Sequence, residues 1–291
     1  MAHAYIRPQP LHQRMVSTMD ALDEKPRFDR IRVPAACDRP LFALAGGAGE
    51  DVLLLLHGLG ATADVWRPCL ERLSAFWPGR WLAPDLPGHG SSPWAHHYAA
   101  GAQAAAIARL LPRGQRVYVL AHSLGGALGI LLASHWFGID VRAVVSFGVK
   151  VNWSAEEQAV MVRRAGALPK LFASRDEALD FYLKVSGLTG LVARDDPLAR
   201  YGVVEEAAGW RLAADPATAL VGCLPVAPLL AVAKCPVVLA AGRLDPMVRI
   251  DELRDLGRAV VDLGDVGHNA HIENPEAILN LIRHLTEHLP T

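Results

Sequence analysis

The sequence lacks what would mark a nucleic-acid or membrane partner. Lys and Arg number 29 against 30 Asp and Glu, a formal net charge of -1. With no basic field to draw a polyanion or an anionic bilayer, neither partner is expected. The four cysteines, Cys37, Cys69, Cys223 and Cys235, are widely spaced and include no C-x-x-C pair. They predict reduced thiols rather than a disulfide frame or a zinc site. The histidines show no H-E-x-x-H or comparable ligand spacing, so no metal is expected; no organic cofactor is implied either. The longest apolar stretch, residues 220–242, is broken by Pro225, Pro228, Lys234 and Pro236. A spanning helix needs about 20 nearly uninterrupted apolar residues, so this stretch reads as a loop feeding a buried strand. The first twenty residues have no apolar h-region, which predicts no secretory signal and a cytoplasmic protein. Internal repeats and low-complexity tracts are missing too.

What is present describes a globular chain with a large core: 52% hydrophobic and 20% charged over 291 residues. Residues 1–30 are polar, proline-bearing and aperiodic, and predict a loose arm. Short apolar runs follow at 51–58, 80–88, 115–123, 141–149, 235–245 and 259–268, bounded by Gly, Pro or polar residues. Such runs suit strands buried on both faces. Ala- and Leu-rich segments at 100–111, 124–137 and 275–288 suit helices. The alternation predicts an α/β fold, a mostly parallel sheet with helices on both faces. Residues 152–230 interrupt it with no good strand. They carry two capping boxes, Ser154 with Glu157 and Ser174 with Glu177, each heading an amphipathic helix. The expected organisation is a core over 31–151 and 231–291 with a helical insertion between.

The chemistry concentrates at "VYVLAHSLGGALGI", residues 117–130. An apolar strand ends at His122, a helix starts at Leu124, and Ser123 stands on the turn. Small residues at 121, 125 and 126 allow the close approach that a tight strand–Ser–helix elbow requires. An N-cap is the simple alternative for such a serine. A serine hydroxyl is a weak nucleophile unaided, so catalysis demands a base and an orienting acid. Asp245 in "GRLDPMV" and His268 in "GHNAHIENP" each follow an apolar run. A parallel sheet collects such strand ends on one edge. "HGLG" at 57–60 offers the backbone N–H of Leu59 as an oxyanion donor, beside that of Leu124 at the helix start.

The order Ser123, Asp245, His268, together with "HGLG", "DLPGHGSS" and "AHSLGG", resembles the α/β-hydrolase superfamily over roughly residues 40–290. The resemblance implies a Ser–His–Asp triad, an elbow in which Ala121 stands where G-x-S-x-G has glycine, and a cap over 152–230. It makes Asp85 and His89 parts of a structural loop. Epoxide hydrolases and haloalkane dehalogenases of the superfamily carry Asp at the nucleophile position and are disfavoured. The implied activity is a serine esterase cleaving a small or medium carboxylic ester or lactone with an apolar acyl side. Meta-cleavage hydrolases, which cut a C–C bond in ring-cleavage diketones, are the alternative. They have Asn where this chain has His122 and Trp where it has Asn269. Acyl transfer on the same triad, and a non-catalytic ligand receptor on the same scaffold, complete the alternatives. His122, Trp153, Phe181, Trp210 and His271 are the candidate pocket residues. The chain is expected to be a monomer or a homodimer.

Overall fold

A computed structural model describes residues 30–33 and 40–287. Of the arm expected over 1–30, all but Arg30 lies outside the described residues, as does Cys37.

Among the described residues ten strands are formed: β1 (Arg30–Val33), β2 (Leu41–Gly46), β3 (Val52–Leu56), β4 (Arg80–Pro84), β5 (Arg116–His122), β6 (Asp140–Phe147), β7 (Val203–Glu206), β8 (Gly209–Leu212), β9 (Val237–Ala241) and β10 (Ala259–Asp262). Eight of them make one sheet in the order β1-β2-β4-β3-β5-β6-β9-β10. The pairs from β4 through β10 are parallel, and only β1–β2 and β2–β4 are antiparallel.

Alternation within each strand explains why the sheet is covered on both sides. Leu53, Leu55, Tyr118 and Leu120 face one buried cluster; Val52, Leu54, Leu56, Val117, Val119 and Ala121 face the other. The helices Ala100–Ala108 and Leu124–Leu132 pack in the second cluster. Because β3, β5, β9 and β10 run parallel, their carboxyl ends share one edge, which positions the site.

Several expectations need correction. β1 and β2 were not anticipated, because RIRV and LFALAG are an edge ribbon of mixed burial without a long apolar run. Within 152–230, the helices Ala155–Ala165 and Arg175–Val185 follow the two serine caps. The region also holds the antiparallel hairpin β7–β8, contrary to the expected absence of strands. Its sequences, VVEE and GWRL, are too charged and too short to read as buried strand. The 220–242 stretch is not simply a loop: Val226–Val232 is helical, with Pro228 in the first turn, where no backbone donor is needed. The helix expected over 275–288 is split into Pro275–Asn280 and Arg283–Thr286, with Pro275 opening the first piece, and a separate short helix, Ala270–Glu273, precedes them.

Candidate active site

Ser123 has the backbone geometry of an elbow. It stands between β5 and the helix Leu124–Leu132 at φ 50°, ψ -117°, one of two non-glycine residues at positive φ among those described. Such a conformation costs on the order of 1–3 kcal/mol and persists only where packing imposes it. Gly125 shows the packing: a Cβ there would lie 2.5 Å from the Leu56 carbonyl oxygen and 2.6 Å from that of His57. The helix therefore sits directly on the end of β3.

The cap alternative is decided by the hydroxyl itself. Ser154 and Ser174 each accept a hydrogen bond from the backbone N–H three residues on, whereas Ser123 makes no such capping bond. Ser123 instead lines a cavity of about 420 Å³ that His268, Leu59 and Leu124 also line. The N–H groups of Leu59 and Leu124 have no hydrogen-bond partner among the described residues. His57 shapes the first of these loops. Its Nδ1–H donates to the Gly58 carbonyl (2.8 Å) and its Nε2 accepts from the Leu86 N–H (2.9 Å).

His268 and Asp245 meet although 23 residues separate them: Nδ1 to Oδ2 is 2.8 Å. Asp245 is almost wholly buried (1%) and His268 partly open (18%). Their two loops are stitched by backbone bonds from Arg243 to Gly264 and from Leu244 to Val266. A carboxylate only accepts, so Nδ1 carries the proton and Nε2 is left as a base. The other nearby acid, Asp265, is paired instead with Arg243 (3.1 Å) at the surface. Asp85 is structural: it accepts from the N–H groups of Ala63 and Ser91, both at 2.8 Å, and pairs with Arg30.

Of the candidate pocket residues, His122 and Trp153 line the Ser123 cavity. Three do not. Phe181 lines a neighbouring cavity, because its helix turns that face toward β8. Trp210 is held in an extended bridge to Phe172 and packs on the core. His271 is fully buried against Trp66, His122 and Phe147. Burial lowers its pKa to about 3, and those of His57 and His89 to about 4 and 3; His122 is held well below the ordinary value, again chiefly by burial. These imidazoles are neutral at neutral pH. His122 donates from Nε2 to the His268 carbonyl at 2.9 Å, bracing the loop that carries His268.

Sequence reasoning missed Met161, Arg164 and Lys184 on the insertion, and Asn269 on the core. The Asn269 amide donates to the carbonyls of Ser186 (3.1 Å) and Gly187 (3.0 Å), tying the His268 loop to the helix Arg175–Val185. The i, i+3 spacing of Met161 and Arg164 put both on one helical face, a signal present in the sequence.

Residues 53–281 match the model of the alpha/beta hydrolase family. The chain belongs to that family. Among relatives of this α/β hydrolase, a pimeloyl-[acyl-carrier protein] methyl ester esterase of Vibrio atlanticus (strain LGP32) is 29% identical over 229 residues, 76% of this chain and 86% of that protein. The fold is shared with the crystal structure of E-2-(acetamidomethylene)succinate hydrolase, at TM-score 0.72 and 22% identity over 90% of this chain and 99% of that one. The thioesterase domain from the curacin biosynthetic pathway superposes at TM-score 0.71 and 20% identity, covering 89% of this chain and 100% of that one.

Proposed function

We propose that this α/β hydrolase cleaves a carboxylic ester or lactone through an acyl-enzyme formed on Ser123. The observation that carries the proposal is Ser123, uncapped and at positive φ, lining the same cavity as His268, whose Nδ1 is held by Asp245. Nε2 of His268 takes the hydroxyl proton as Ser123 attacks the carbonyl carbon, then passes it to the departing alkoxide. Asp245 fixes the tautomer and stabilises the imidazolium. The Leu59 and Leu124 N–H groups receive the oxyanion. Water, activated by the same histidine, releases the acid.

Residues 152–230 act as a cap, supported by Trp153, Met161, Arg164 and Lys184 reaching the Ser123 cavity from that segment. The ester reading is favoured over diketone cleavage by residue 269. That position is an asparagine whose amide is engaged with Ser186 and Gly187. The ester cleaved by the Vibrio relative, by its name, is of the same bond class. The test is initial rates on 4-nitrophenyl butyrate. The wild type turns over, and Ser123→Ala retains at most about a few per cent of the rate. A Ser123→Ala protein with near-normal rate contradicts the proposal.

A further inference from the structure

The sequence led to an apolar pocket, yet two cations face it. Arg164 and Lys184, from the two helices of the insertion, both line the Ser123 cavity. The acidic groups nearby are already engaged. Glu273 accepts from the Gly267 N–H at 2.7 Å, and Glu157 pairs with Lys150. Asp215, in the neighbouring cavity, accepts from the Tyr98 hydroxyl at 2.9 Å and the Ala217 N–H at 3.0 Å. Asp245 is committed to His268.

Arg164 is the more telling of the pair. It is half-buried, and among the described residues it has neither a hydrogen bond nor an ion pair. Other shielded arginines here are matched: Arg30 to Asp64 and Asp85, Arg67 to Asp64. Burial also draws the Arg164 guanidinium below its ordinary pKa, with no carboxylate holding it up. It remains charged, since no protein environment of this kind deprotonates an arginine. Desolvating a cation without a partner is unfavourable unless something else supplies the counter-charge.

Its location says where that counter-charge sits. Arg164 Nη2 lies 3.7 Å from the point a Cβ on Gly60 would occupy, so it overhangs the Gly58–Gly60 loop that presents the Leu59 N–H. With Val185 it also forms the partition to the second cavity, about 150 Å³, where Lys170 is taken up over the rings of Phe172 and Phe181. The guanidinium is therefore available to an anion inside the cavity that holds Ser123.

We propose that Arg164 is an anion subsite and that the substrate is an ester carrying a carboxylate away from the scissile bond. The inference rests on the hydrolase reading above. A guanidinium meets a carboxylate through two parallel N–H···O bonds, a geometry an amide of the same shape does not reproduce. Lys184, exposed at the same cavity, adds field rather than geometry.

The experiment compares matched esters, with the carboxylate placed on either side of the bond. One arm sets the mono-4-nitrophenyl ester of adipic acid against its primary amide analogue. The other sets 4-carboxyphenyl butyrate against 4-carbamoylphenyl butyrate. The wild type is expected to favour the anionic member of at least one pair by about tenfold or more in kcat/KM, the effect of one charge-assisted contact. Arg164→Gln brings that ratio close to unity, and Arg164→Lys keeps part of it. Ratios near unity in both arms for the wild type, or a preference that survives Arg164→Gln, overturn the subsite while leaving the hydrolase reading intact. A wild type that cleaves none of the esters, neutral or anionic, overturns both.

Discussion

Asp245 gives its two carboxylate oxygens to two different partners: Oδ2 meets Nδ1 of His268 and Oδ1 accepts the Met247 N–H, each at 2.8 Å. One residue thus holds the turn before Pro246 and orients the His268 imidazole. Asn at this position keeps an acceptor for Met247 and turns its NH₂ toward the histidine. A donor facing Nδ1 favours the tautomer with the proton on Nε2, which is unable to accept from Ser123. In serine proteases the same exchange lowers kcat by about 10⁴. Asp245→Asn should melt close to wild type and lose at least about a hundredfold in kcat. Near-normal turnover in a folded variant would assign the orienting role to another carboxylate.

Gly242 tests how the Asp245 and His268 loops are held together. A Cβ there would stand 1.9 Å from the Val266 carbonyl oxygen, on the loop leading to His268. Gly242→Ala must part the loops, so both Tm and kcat fall. Gly101, inside the helix Ala100–Ala108, has nothing within 4 Å of its would-be Cβ. Gly101→Ala is expected to leave activity alone and to add roughly 0.5–1 kcal/mol of stability. Thermal melts and rates on one ester read both variants; equal behaviour of the two would refute the packing argument.

The buried imidazoles make stability depend on pH. His57, His89, His122 and His271 have folded pKa values below the ordinary 6.5 because burial disfavours the cation. The unfolded chain therefore binds more protons once the pH drops below about 6.5. Stability is full above that pH and declines toward about pH 4, by up to about 1.4 kcal/mol per pH unit for each group. Among the described residues, His271 has no hydrogen-bond partner on either ring nitrogen, and it lies among Trp66, Phe147 and His122. His271→Phe should flatten the fall of Tm between about pH 6.5 and 4.5. A variant with an unchanged slope would show that His271 takes no part in it.

The legible parts of the molecule were those where one local rule applies. Runs such as VLLLL and RVYVLAH announced central strands because both faces are buried. The seam at Ser123 was visible because strand and helix patterns abut there. Asp245 and His268 were visible because their loops follow apolar runs. The pocket was not legible. Phe181 and Trp210 read as pocket residues on aromaticity, but which way a cap helix or hairpin turns is set by tertiary packing. Arg164 was passed over, and only the fold shows it without a partner among the described residues. The hairpin β7–β8 escaped because it is held by the pairing of its two short strands and by the bridge from Phe172 to Trp210, not by an apolar run.

The claim that Ser123 is the nucleophile is tested most directly by intact-mass and peptide mapping after exposure to a fluorophosphonate. The account predicts one covalent adduct on the peptide containing Ser123, loss of ester turnover in step with labelling, and no adduct on Ser123→Ala. Labelling that persists in Ser123→Ala, or an unlabelled wild type that still cleaves esters, would contradict it.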